Sequence, residues 1–455
     1  MSADVSSDRA IRQAYEADSS GLQMIPDLVA RPETIGDVVE LVKKAASERI
    51  AVTSAGAQTS TTGASITDSG ILLSLRSLNQ IGDLDDKART VRVGPGAIVA
   101  EIKKTAAAAG LLFAPDPTSE EESTIGGAIA CNASGARTFK YGATRRHVRA
   151  LKVVMASGEL VEFRRSDLEK NTVGYAFAHD PIDWFIGSEG TLGVIVEAEL
   201  GLLPLPQRVV GLAALFKGES DALKFVIAAR EAASVSPRCI EYFDARALEI
   251  ARLSVPGAAI AKNAGAMVYV EEEITEDLDA SLVRWLELIE SIAPDFEPLV
   301  FDGEARLREA RRIRHSIPAT MNERGGKHRA AGGRKVGTDW AVPYRKLEQA
   351  IQTARTLAAE RQLEAPVIYG HAGNGHPHQN FIARDANELT TIEGVVERTL
   401  KHVLSLGGTV AAEHGIGKIK RRWLPLQMNP IQISMMTAVK RELDPLGILA
   451  PGNIL

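Results

Sequence analysis

Cysteine is nearly absent: Cys131 and Cys239 are the only two in 455 residues. Neither a disulfide framework nor a cysteine-ligated iron–sulfur cluster can be built from them, and a reducing cytoplasm fits. A basic excess is missing too. Lys and Arg number 53 against 58 Asp and Glu, a net charge of -5, so no global field drives nucleic-acid binding. No run of 18 apolar residues occurs, so no stretch reads as a transmembrane segment. The N-terminal stretch MSADVSSDRAIRQAYEAD is polar and acidic, without the apolar centre of a secretory signal. The expected location is cytoplasmic. Peripheral attachment to acidic lipid would run through Lys418, Lys420, Arg421, Arg422 and Trp423, for which a solvated helix face is the plainer reading.

Several catalytic signatures are also missing. There is no G-x-G-x-x-G after a strand, which removes the Rossmann NAD site. There is no G-x-x-x-x-G-K-[ST], H-E-x-x-H or G-x-S-x-G, which removes the common nucleotide hydrolases, zincins and α/β-hydrolases. Gly94-Pro95-Gly96 looks like a phosphate turn, but Pro95 has no N–H to offer, and a plain turn is expected.

What is present is ordinary globular composition, 45% apolar and 24% charged, with 39 glycines. Alternating helix and strand patterns fill the chain. Helices are expected at 32–49, 98–109, 220–234, 278–292, 304–312, 344–361 and 387–406, with a strand at 367–372. Residues 111–142 are dense in Gly, Ala, Ser, Asn and Pro, as a loop or as backbone lying against a ligand. Leu203-Pro204-Leu205-Pro206 marks a boundary near 205, and the fold class is α+β.

Three histidines fall within eight residues, His371-Ala-Gly-Asn-Gly-His376-Pro-His378. Asn374-Gly375 is a favoured two-residue hairpin turn. With those residues at the tip, His371 is expected to face His378, with His376 and Asn380 on the face of His378. Two imidazoles so placed can share a metal ion. Glu413, beside His414 in Ala-Glu-His-Gly-Ile-Gly, supplies a third ligand if the glycines make that stretch irregular. The plain alternative is a hairpin with solvated histidines.

Other residues come in a familiar order. Pro115-Asp116-Pro117-x-Ser119, Thr124-Ile125-Gly126-Gly127, Asn132-Ala133-Ser134-Gly135, Lys140-Tyr141-Gly142 and Gly187-Ser188-Glu189-Gly190-Thr191-Leu192-Gly193-Val194-Ile195 resemble the FAD domain of the vanillyl-alcohol oxidase / p-cresol methylhydroxylase superfamily. Within it the chain is similar, over nearly its whole length, to the group of D-lactate dehydrogenase, glycolate oxidase D-subunit and D-2-hydroxyglutarate dehydrogenase. The resemblance implies a two-subdomain FAD-binding domain at 1–205, a substrate cap at 206–408, and a C-terminal segment, 409–455, that returns to the FAD domain.

The resemblance also assigns residues. Gly56-Ala57-Gln58-Thr59-Ser60 matches the loop that carries the FAD diphosphate, with Gln58 where the family has Gly or Asn. Pro115, Asp116, Ser119, Thr124, Gly126, Gly127, Asn132, Ser134, Gly135, Tyr141, Gly142, Glu189, Gly193, Val194 and Ile195 would line the cofactor. The first histidine, His147, lies outside the diphosphate loop, so non-covalent FAD is expected. The family's metal motif, His-x-Gly-Asp-Gly-Asn-x-His-x-Asn followed by Glu-His-Gly, matches at His371, His378, Asn380, Glu413 and His414. Asn374 replaces Asp and His376 replaces Asn, adding either a ligand or a substrate contact.

The implied reaction is oxidation of a D-2-hydroxy acid to a 2-oxo acid with hydride transfer to flavin N5. His371, His378 and Glu413 would hold a divalent metal, zinc by its mixed His/carboxylate ligation, with manganese or iron as other fits. His414 would be the base. Arg314 and Lys335 would hold carboxylate, although Arg306, Arg308, Arg311 and Arg312 crowd Arg314 as on a surface helix. Electrons would pass to an external acceptor: quinone, cytochrome c, electron-transfer flavoprotein or oxygen. A homodimer is compatible with the sequence. The alternatives are a metal-independent flavin oxidase of phenols or alcohols and a flavoprotein subunit of a larger complex.

Overall fold

The computed structural model describes residues 4–275, 277–292 and 296–455. The chain forms two compact units. One comprises the residues up to Gly135, Gly142–Leu205 and Glu413–Leu455; the other comprises Ala136–Tyr141 and Pro206–Ala412.

The first unit carries two sheets. In the smaller, the strands run in the order Asp4–Ser6, Leu28–Arg31, Ile71–Ser74, Val52–Ala55, with the last three parallel. Helix Ile35–Glu48 crosses between two of them. It begins in a capping box, Thr34 with Asp37, and buries Val38, Leu41, Val42 and Ala45. The helix therefore starts at the cap rather than at Pro32. The C-terminal segment returns to this sheet: Leu449 bridges Val52 in parallel, with Val52 N–H donating to Ile448 O at 2.7 Å. The other sheet is antiparallel, in the order Ile81–Asp85, Thr90–Val93, Val194–Gly201, Val148–Val154, Leu160–Arg164. Its apolar face packs on Ile102, Phe113, Ile125, Ile129 and Phe185. Gly94-Pro95-Gly96 is a turn, and Pro95 O accepts the Gly126 N–H at 2.8 Å. The stretch 111–142 is not all loop. Thr124 caps a short helix, Ile125–Ala130, whose Gly126 lets it lie on Pro95.

The basic tract is not a solvated helix face. Lys418 Nζ donates to Gly63 O and Asn453 Oδ1 at 3.1 and 2.7 Å, and Lys420 and Trp423 are buried. Only Arg421 and Arg422 of the five are exposed.

The second unit is a seven-stranded antiparallel sheet. Its order is Leu299–Asp302, Val209–Phe216, Ala266–Glu273, Pro237–Asp244, Val367–His371, His376–Asp385, Gly332–Gly337. Helices Ala245–Ser254 and Glu304–Gly326 cover one face, through Leu248, Ile313, Ile317 and Met321 against Cys239, Phe243, Met267 and Tyr369. On the opposite face Phe216, Phe225 and Trp285 pack in a row. The helix expected at 304–312 runs on to Gly326, straight through Pro318. Its apolar residues 310, 313, 317 and 321 keep helical spacing, and that burial outweighs the missing Pro318 N–H.

Residues 136–141 belong to this unit for an electrostatic reason. Arg137 grips buried Glu271 with two hydrogen bonds (3.0 and 2.7 Å), Lys140 pairs with Glu273 (2.7 Å), and Tyr141 lies under the Arg238 guanidinium. Breaking a buried pair of this kind costs about 3–5 kcal/mol.

Candidate active site

The histidine hairpin corrects the register read from the sequence. The turn is not the two residues Asn374-Gly375. Ala372–Asn374 form a short 3-10 turn and Gly375 closes it at φ 68°. A Cβ there would meet Val342 O at 1.9 Å, so only glycine fits. The longer turn shifts the ladder by two residues. His371 pairs with His376, and His378 pairs with Tyr369. Strand alternation still puts all three rings on one face. Their centroids lie 5.5 Å apart for His371–His376, 5.3 Å for His371–His378 and 4.8 Å for His376–His378. All are buried, at 4%, 4% and 8% exposure, so the solvated-hairpin alternative fails.

This face is the one covered by helix Glu304–Gly326, which places Arg314 near the hairpin. Its Nε donates to Glu241 Oε2 (2.9 Å), and its guanidinium stacks over Tyr369 at 4.8 Å. The other oxygen, Glu241 Oε1, lies 2.6 Å from His371 Nδ1. Burial alone would raise the Glu241 carboxyl. His371 and Arg314 reverse that and hold it down at about 2. With Nδ1 on a carboxylate, Nε2 is the nitrogen of His371 that could ligate a metal. His376 Nε2 lies 3.1 Å from Asp339 Oδ1, and Asp339 also accepts the Ala412 N–H. Lys335 Nζ donates to Asn322 Oδ1 (3.0 Å); burial and Arg314 pull its ammonium down to about 8. Asn380 Nδ2 bonds back to His378 O (3.2 Å).

Glu241 and Asp339 were not singled out in the sequence. A signal existed for Glu241: it is a charged residue in the strand Pro237–Asp244, whose other members read as buried.

In the first unit, Glu413 and His414 lie on irregular backbone, with His414 Nε2 3.5 Å from Glu413 Oε1 and Gly415 at φ 77°. Ser134 Oγ donates to Glu413 Oε2 (3.1 Å). Glu189 is buried with φ 52°, and its carboxylate accepts the N–H groups of Ile416 and Gly417 (2.6 and 2.7 Å). It thereby ties the 415–417 turn rather than offering its charge outward. Asn132 Oδ1 accepts the Arg145 N–H (2.9 Å). Gly135 packs against Asp116, where a Cβ would lie 2.2 Å from Asp116 O.

The loop after strand Val52–Ala55 has the makings of an anion cradle. Among the described residues, no protein acceptor takes the backbone N–H groups of Ala57, Gln58, Thr59, Ser60 and Thr61. Gln58 sits at φ 56° and turns its amide away, to Tyr15 O and Ser65 O (3.0 and 3.3 Å). Successive backbone donors of this kind suit a diphosphate. The residues present therefore fit a flavin dinucleotide without a P-loop lysine. Thr124 caps the helix of Gly126 and Gly127 in this same unit, where Pro115, Ser119, Gly142, Gly193, Val194 and Ile195 also lie. Tyr141 lies in the other unit.

A β-rich FAD-type unit of two sheets with an antiparallel cap defines a flavoprotein oxidoreductase architecture. The comparisons agree. The family described as "FAD binding domain" matches residues 26–164, and "FAD linked oxidases, C-terminal domain" matches 205–454. The chain belongs to the FAD-linked oxidases. It is 29% identical to the glycolate oxidase subunit GlcD of Bacillus subtilis, covering 97% of this chain and 92% of that one. It is 29% identical to the D-lactate dehydrogenase of Archaeoglobus fulgidus (94% and 91% covered) and 30% identical to the D-2-hydroxyglutarate dehydrogenase of Xanthomonas citri (94% and 89%). Its fold matches that of a solved alkyldihydroxyacetonephosphate synthase, with a TM-score of 0.72 over 98% of this chain and 82% of that one, at 17% identity. Among the described residues, no helix is long and apolar enough to cross a membrane.

Proposed function

We propose that the chain is an FAD-dependent, metal-assisted dehydrogenase of D-2-hydroxy acids, of the lactate, glycolate or 2-hydroxyglutarate class. The observation that carries the metal is the buried histidine face, with His371 backed by Glu241 at 2.6 Å. Imidazoles held by buried carboxylates are the usual outer shell of a metal site. The substrate class is supported by three relatives whose names specify 2-hydroxy acids.

His371 and His378 are the imidazole ligands of this reading, and Glu413 is the carboxylate. When bound, the metal would supply Lewis-acid activation of the substrate hydroxyl and the flavin would supply the acceptor for the C2 hydride. Arg314, with its Nε on Glu241, holds the substrate carboxylate. Lys335 adds a second cation for an acidic side group, and Asn380 is a further substrate contact. His414 takes the hydroxyl proton. The cradle at 56–61 carries the diphosphate of non-covalent FAD. Cys131 and Cys239 cannot ligate a cluster, so electrons leave to an external acceptor.

Anaerobic bleaching of the oxidised-flavin band by D-lactate, before and after chelation, tests the reading. The expected result is bleaching that is lost on chelation and restored by zinc. Unchanged bleaching after verified metal removal would reject the metal's part and favour the metal-independent oxidase. In parallel, His378→Ala is expected to keep FAD and lose turnover.

A further inference from the structure

His376 is where this chain departs from the pattern it resembles, which has Asn. The ladder register gives the substitution a specific place, because His376, not His378, lies directly opposite His371. A ring nitrogen of each lies within 4.8 Å of the other. His378 follows two residues on, on the same face.

We propose that His376 is a third imidazole ligand of the metal, so that the hairpin presents His371, His376 and His378 together. This rests on the metal-assisted reading above and sharpens it. The ring spacing supports it. Metal–nitrogen bonds of about 2.0–2.1 Å put each ring centroid about 3.2 Å from the ion, so two rings at right-angled to tetrahedral positions sit about 4.5–5.2 Å apart. The three observed separations are 5.5, 5.3 and 4.8 Å. One separation lies within that range and two lie just above it, and His371 and His376 already stand within metal-sharing distance.

The partners of the rings support it further. His371 has Glu241 at Nδ1, so Nε2 is its ligating nitrogen in this reading. His376 has Asp339 at Nε2, which leaves Nδ1. Ligating histidines commonly give their second nitrogen to a carboxylate. Asp339 stands 3.1 Å from Nε2, within ion-pair distance but without the alignment of a hydrogen bond, so that nitrogen is buried and unsatisfied. A histidine kept only for packing would settle into the aligned bond. Rotation of His376 onto an ion allows that bond to form.

The set has a consequence for the metal. Three imidazoles leave a four-coordinate ion one open position, so a hydroxy acid that chelates through two oxygens requires five or six positions. Manganese(II), iron(II) and cobalt(II) accept these more readily than zinc.

The test uses the full-length flavoprotein. Metal content per flavin is measured against increasing chelator for wild type, His376→Asn and Asp339→Asn. The visible spectrum of each is recorded after cobalt(II) replacement. His376→Asn is expected to weaken metal retention by at least about 100-fold and to change the cobalt bands, with the flavin spectrum intact. Asp339→Asn is expected to weaken it by about 10–100-fold. Wild-type retention and wild-type cobalt bands in His376→Asn would overturn the proposal and make His376 a substrate contact. Pulsed EPR on copper(II)-loaded wild type decides without any variant: three coupled imidazoles are expected, and two would overturn it. Wild type that binds no stoichiometric metal would instead overturn the metal-assisted reading, and this proposal with it.

Discussion

Glu241 shows how one buried carboxylate positions two side chains of the proposed site. It faces His371 with one oxygen and Arg314 with the other, at 2.6 and 2.9 Å. The same arginine depresses its neighbour. Burial, then Arg314, brings the Lys335 ammonium to about 8. The charged form dominates below that pH and is lost above it. A substrate carboxylate held by Lys335 should therefore bind well up to pH 8, and its KM should climb about tenfold per unit beyond. Lys335→Arg keeps the charge throughout the range. KM profiles of wild type and variant between pH 7 and 10 should diverge above 8, with the variant flat. Parallel profiles would remove Lys335 from the substrate site. None of this was legible from residue types alone. The sequence marks Arg314 and Lys335 by their match to a motif, while the carboxylate between Arg314 and His371 comes from a strand 73 positions away from Arg314.

At the scale of the element, the hairpin shows what periodicity can and cannot fix. Alternation correctly puts His371, His376 and His378 on one face, because it depends only on strand geometry. Register depends on the turn, and Asn374-Gly375 was a misleading signal. The chain needs Ala372 and Gly373 in the turn as well, since Gly373 packs against Phe139 and Ile240 with no room for a side chain. Helix Glu304–Gly326 makes a similar point. Its clustered arginines and Pro318 hide a sparse apolar stripe that is decisive once it meets the sheet. Gly375→Ala is expected to cost about 2–4 kcal/mol, from its φ of 68° and the approach to Val342 O. Thermal unfolding should show a midpoint several degrees lower, with metal retention weakened because His376 follows directly. An unchanged midpoint would mean that the turn relaxes freely.

At the scale of the whole molecule, the sequence was most informative where single segments suffice and least where distant segments combine. The FAD-type unit was visible as an ordered series of short glycine-rich runs. The transfer of residues 136–141 to the cap unit was not, because Arg137 and Lys140 find Glu271 and Glu273 more than 130 positions on. His147 is a comparable case in the first unit. The sequence shows only a histidine between arginines. The fold buries it against the edge of Phe113, and burial, with Arg146 and Arg149, lowers its pKa to about 4 from 6.5. The unfolded chain therefore binds a proton across that window that the folded chain refuses. Stability from this residue is complete above pH 6.5 and drains away as the pH falls to 4, by about 3 kcal/mol in all. Carboxylates contribute acid sensitivity of their own, so the comparison must be with His147→Gln, which has no such proton to bind. Thermal midpoints of wild type and variant from pH 7 to 4.5 should converge or cross as the pH falls, because only the wild type loses this share. Curves that stay parallel would show that His147 is protonated in the folded state, and that Arg146 and Arg149 leave it room for the charge.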